Sequence, residues 1–144
     1  MTRFRFRAVL VYGLLLLIAL AIAVPAGASR KANAQQRRAL TAAVQRTPVA
    51  GFNKIPKSHY RVSRQRISTV SRNWAIAYAN PAPGFGTTFQ PGYAIAVEPA
   101  GTKRWVVVDA GSSEVGCGIA PDAVIADLVG VKKSQACPPG SGVG

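Results

Sequence analysis

Trp74-Ala-Ile-Ala-Tyr-Ala79 decides how this chain reads: large residues at 74, 76 and 78 alternate with alanine at 75, 77 and 79. Successive side chains on a strand point to opposite faces, so this is a β-strand with one bulky face and one alanine face. The rhythm returns in Tyr93-Ala-Ile-Ala-Val97, and Trp105 and Val107 carry it into a third strand. The three strands are expected to share a core face of large residues, because aromatic and branched side chains fit a buried pleated surface. The alanine face either admits a helix at close range or meets solvent, and periodicity does not choose between them. Glu98-Pro-Ala-Gly-Thr102 supplies the turn that makes the last two strands an antiparallel hairpin.

Upstream, Tyr60 and Val62 share one parity while Ile67 and Thr69 share the other, which predicts a bulge or break near Arg64–Arg66. Ser71-Arg-Asn73 turns the chain into the Trp74 strand. Residues 34–46, AQQRRALTAAVQR, are good helix formers with Gln36, Leu40, Ala43 and Val44 on one face. Asn33 is placed to cap this helix and Pro48 to stop it. Residues 49–59 read as a connection without regular order. In the Pro- and Gly-rich loop 80–92, Phe85 and Phe89 are expected to fold back and plug the core edge, a recognition tip being the alternative. Downstream, Pro121 and Asp122 suit the start of a helix over 121–129, which Gly130 ends. The fold class is therefore α+β: an antiparallel meander of three or four strands, an N-terminal helix and a short C-terminal helix.

Residues 1–28 read as an export signal. Arg3, Arg5 and Arg7 precede a 17-residue apolar run over 8–24, then Pro25 and the small-residue site Ala26-Gly-Ala28. At about 1.5 Å per residue the run reaches roughly 25 Å, short of a hydrocarbon core of about 30 Å. Cleavage after Ala28 is expected, giving a secreted protein; an uncleaved anchor over 8–24 with its basic end inside is the alternative. Residues 29–137 then form one domain, and 138–144 a tail with nothing to bury. Three of the 18 Lys and Arg fall in the signal, leaving 15 against 5 acids and a charge of +10.

Cys117 and Cys137 are the only cysteines, and export puts them where disulfides persist. A structural bridge clamping the 121–129 helix is expected, with free thiols or a redox-active pair as the alternative. No metal or cofactor is expected: His59 is the sole histidine, and zinc spacing, calcium loop and phosphate-binding Gly motif are missing from the sequence.

Several of these segments resemble a small domain of exported proteins of actinobacterial type. They are Arg66-Ile-Ser-Thr-Val70, Trp74-Ala75, Arg104-Trp-Val-Val-Val-Asp-Ala-Gly111, Val115-Gly-Cys-Gly-Ile-Ala-Pro121, Ala126-Asp-Leu128 and the closing Cys137. The resemblance spans 36–137 in outline and implies a secreted domain with one bridge. It brings no catalytic residue with it.

The strongest functional candidate is the acid-free basic segment 54–72, with Lys54, Lys57, Arg61, Arg64, Arg66 and Arg72. Arg64 and Arg66 are expected to project from one strand face, where guanidinium groups suit bidentate contacts to phosphate. The same arginines would also serve as edge charges that discourage sheet-to-sheet association. The reading favoured is a non-catalytic secreted or cell-envelope protein contacting an anionic envelope polymer or an envelope protein. Sequence-specific nucleic-acid binding is not expected of an exported chain with no such fold. A small hydrolase using His59, oriented by Asp109, Asp122 or Asp127, is the alternative, with no nucleophile-elbow sequence behind it.

Overall fold

A computed structural model describes residues 28–87 and 89–139. Residues 1–27 of the expected signal segment and residues 140–144 of the tail lie outside the described residues.

The elements run β1 (Arg30–Lys31), α1 (Ala34–Arg46), β2 (Tyr60–Ile67), β3 (Trp74–Pro81), β4 (Gly92–Val97), β5 (Val106–Gly111), α2 (Asp122–Val129) and α3 (Lys133–Ala136). The strands form one antiparallel sheet in the order β1-β2-β3-β4-β5, each paired with its sequence neighbour. This is the α+β meander read from the sequence, with five strands where three or four were expected. The extra strand, β1, is two residues long, too short to show periodicity, and pairs through Arg30↔Ile67 and Lys31↔Arg66.

Both sheet faces are buried, so of the two alternatives left open for the alanine face, a closely packed helix is the one realised. The alanines of β3 and β4 lie under α1, in one cluster with Leu40, Ala43 and Val44. Their short side chains let the helix pack closely on the sheet. The opposite face, Ile76 and Ile95, packs against Val124, Ile125 and Leu128 of α2. Trp74, Tyr78 and Tyr93 on this second face are only half-buried, because the eight-residue α2 covers part of the sheet.

Trp105 and Val107 were expected beside Ile76 and Ile95 but belong to the alanine-face core. The β4–β5 register explains this: Val107 pairs with Ala96, and Asp109 with Ile95. Val108 is the extra residue of a bulge and packs with the other cluster. An inserted residue flips the parity of all that follows, so Val107 and Ala110 share a face despite odd spacing.

α1 begins at Asn33 with a reciprocal cap. Asn33 Oδ1 accepts from the Gln36 N–H at 2.9 Å, and Gln36 Oε1 accepts from the Asn33 N–H at 3.1 Å. Gln36 is thus spent on the cap, and the buried stripe is Leu40, Ala43 and Val44. The 49–59 connection is more ordered than expected. It contains two 3₁₀ turns, Val49–Lys54 and Lys57–His59, and drives Phe52 into the core. Phe89 meets Phe52 and Tyr60 edge-on at 5.9 and 5.7 Å, the plug expected of it. Burial there pushes the Tyr60 hydroxyl pKa up.

The C-terminal lobe is fixed at three points. Cys117 and Cys137 form a disulfide across a Cα–Cα distance of 5.5 Å, enclosing α2 and α3. A disulfide belongs to an oxidising, extracytoplasmic compartment. Gly116 passes so close to the core that a Cβ there would lie 2.6 Å from Ile125 Cδ1. Asp127 accepts from the Ser68 hydroxyl at 2.7 Å, the Thr69 N–H at 2.7 Å and the Thr69 hydroxyl at 3.0 Å, tying α2 to the end of β2. Among the described residues no helix is long and apolar enough to cross a membrane.

Candidate functional site

The predicted bulge is present in β2: Ser63 pairs with Tyr78 and Arg66 with Ile76, so Arg64 and Gln65 together face Ala77. Arg64 takes the left-handed backbone conformation, φ 49°, which a side-chain-bearing residue adopts only at a cost. The bulge sends Gln65 to the α1 side, where its amide donates to Thr41 Oγ1 at 2.9 Å. Arg64 goes to the other face, its guanidinium 5.0 Å from the centroid of the Tyr78 ring. Tyr78 in turn packs on its cross-strand partner Tyr93, with centroids 4.9 Å apart.

Arg64 and Arg66 line a cleft of about 670 Å³ between β2 and the C-terminal lobe. Ile76, Tyr93, Val115 and Leu128 supply apolar surface within it. Two further cations reach it, Lys31 from β1 and Arg37 from α1. Glu114, also in the left-handed conformation at φ 54°, is the one acid lining it. Arg66 Nη2 donates to the Ser29 carbonyl at 2.6 Å and Arg37 Nη1 to the Ala32 carbonyl at 2.9 Å. Each carbonyl holds a guanidinium in place and leaves its other N–H donors available. Among the described residues, none of the four cations is held in an ion pair.

The basic segment read from the sequence is therefore divided by the fold. All six of its cations are exposed, but only Arg64 and Arg66 line the cleft. Lys54 and Lys57 lie in the 3₁₀ turns ahead of β2, and Arg72 lies in the turn beyond its other end. Arg61 lies within β2, paired with Asn80. Lys31 and Arg37 were missed because no local pattern links them to residues about thirty positions downstream. A β1 recognised from its pairing with Arg66 is the only signal that would have found Lys31.

The other acids and the histidine have structural surroundings. The His59 ring stacks on Phe85 at 3.9 Å, and among the described residues no hydrogen bond joins it to a hydroxyl or carboxylate. Asp109 accepts from the Gly116 N–H at 2.6 Å and the Ala110 N–H at 2.8 Å, shaping the turn after β5. Asp122 is exposed at the start of α2, and Asp127 is committed to Ser68 and Thr69. Among the described residues no cluster of His, Cys, Asp and Glu is placed to hold a metal ion.

No protein-family model, curated protein or solved structure matches this chain.

Proposed function

We propose that this is a non-catalytic exported protein that binds an anionic component of the cell envelope through the cations around the β2 bulge. The observation that carries this reading is the convergence of Arg64 and Arg66 with Lys31 and Arg37 on one cleft, four cations against the single acid Glu114. Left-handed backbone at Arg64 supports it further, since strain of this kind persists where the surroundings favour a particular side-chain direction. The export signal over 1–28 and the Cys117–Cys137 bridge favour a secreted form or one tethered through residues 8–24. Resemblance to exported domains of actinobacterial type agrees with this location.

Co-sedimentation with an anionic wall polymer at two salt concentrations tests the reading. Binding should weaken steeply between low and high salt, because cations on a polyanion release counterions. The double variant Arg64→Gln/Arg66→Gln should bind less at low salt, while Lys54→Gln/Lys57→Gln, outside the cleft, should change it little. Binding that ignores both salt and Arg64/Arg66 would remove the proposal.

A further inference from the structure

The cleft around the β2 bulge is not shaped for a flexible polyanion alone. A purely electrostatic footprint is a row of solvated cations on an open surface. Here the cations stand beside a concave apolar surface formed by Ile76, Tyr93, Val115 and Leu128. The volume, about 670 Å³, lies within the range of sites that enclose a small organic molecule. We infer that the cleft binds a single phosphate-headed amphiphile, its head among Arg37, Arg64, Arg66 and Lys31 and its apolar chain laid against Tyr93, Ile76 and Leu128. This rests on the anion-binding reading above and adds the ligand class.

The charge count selects phosphate over carboxylate. Three guanidinium groups and one ammonium exceed what a single negative charge neutralises. A phosphate monoester carries about 1.5 to 2 negative charges and three acceptor oxygens, enough to engage more than one planar fork. The forks are preorganised: Arg66 by the Ser29 carbonyl, Arg37 by the Ala32 carbonyl and Arg64 by the Tyr78 ring. Fixing these side chains before binding lowers the ordering cost of capture. The apolar part has an equally fixed partner, since Tyr93 is braced against Tyr78, and the lobe carrying Leu128 is closed by the Cys117–Cys137 bridge. Glu114 works against the phosphate charge and sets a limit on affinity that its removal should relax.

Calorimetric titration of the exported protein with decyl phosphate, kept below its micelle-forming concentration, tests the inference. Inorganic phosphate, decanol and decanoate serve as comparisons, with the wall polymer titrated in parallel. Decyl phosphate should bind at least about tenfold more tightly than any of the three small comparisons. Arg64→Gln and Tyr93→Ser should each weaken it about tenfold, and Glu114→Gln should tighten it about two- to fivefold. The tightening by Glu114→Gln is a gain that a misfolded variant would not give. Equal binding of inorganic phosphate would show that the apolar surface plays no part, and equal binding of decanoate would overturn the choice of phosphate. Binding that begins only with micelles would mean a surface is recognised instead, and would also overturn the inference. Polymer binding that depends on Arg64, without preference for decyl phosphate, would sink this inference and leave the broader reading standing. Loss of both would remove both.

Discussion

Ser68 and Asp127 are 59 positions apart in sequence, and the hydroxyl of the first donates to the carboxylate of the second at 2.7 Å in a buried site. The Ser68 oxygen also accepts from the Val70 and Ser71 N–H groups, each at 3.1 Å, so one side chain shapes the β2–β3 turn and ties it to α2. Asp127 is 2% exposed.

Replacing Asp127 by Ala removes the acceptor shared by the Ser68 hydroxyl and the Thr69 N–H. The expected cost is about 1–3 kcal/mol, because buried donors lose their acceptor. Urea denaturation would measure it, and a variant as stable as the parent would refute the role assigned to Asp127.

The same carboxylate carries a pH dependence. Burial pushes its pKa up, but hydrogen bonds from the Ser68 hydroxyl and from the Thr69 N–H and hydroxyl outweigh this and hold it below the ordinary carboxylate range. A depressed folded value means the stabilisation is present above the unfolded pKa of about 3.9 and is lost as pH falls through the folded value. Thermal midpoints recorded from pH 5 downward should therefore fall less steeply for Asp127→Asn than for the parent.

The Cys117–Cys137 bridge closes a loop across a sequence separation of 20. On the chain-entropy account its removal costs roughly 3 kcal/mol. Cys117→Ser/Cys137→Ser should lower the unfolding midpoint accordingly. Faster hydrogen exchange in α2 and α3 than in β3 and β4 would locate the loosening in the C-terminal lobe.

At Gly116 a Cβ would sit 2.6 Å from Ile125 Cδ1 and 3.0 Å from Ile95 Cγ1, on backbone with φ +85°. Gly116→Ala combines a clash with backbone strain and should destabilise by about 1–3 kcal/mol. Gly101→Ala has the same strain at φ +78° and open space around it, so it should cost less. Equal losses in the two variants would show that contact with Ile95 and Ile125 does not matter.

On the alanine face, Ala77 is buried in the cluster beneath α1. Ala77→Leu adds volume where the helix approaches the sheet and should cost about 1–3 kcal/mol. A stability gain would mean the alanine face has room to spare.

The sequence by itself determined the elements whose signals are local. Alternation at 74–79 and 93–97, the parity change around Arg64, Asn33 and Pro48 flanking α1, and Pro121 and Gly130 flanking α2 each depend on neighbours a few positions away. The two cysteines, read with the expected export signal, predicted the bridge. Only the tertiary structure decided which faces meet and which cations converge. Val107 joined the alanine face because β5 pairs it with Ala96, a register that its own alternation does not encode. Arg64 and Arg66 were legible as a local pair, whereas Lys31 and Arg37 reach the same cleft through β1 pairing and α1 packing. Periodicity records how side chains divide about one strand or helix; a site is made by pairing and packing between elements, and that information is non-local.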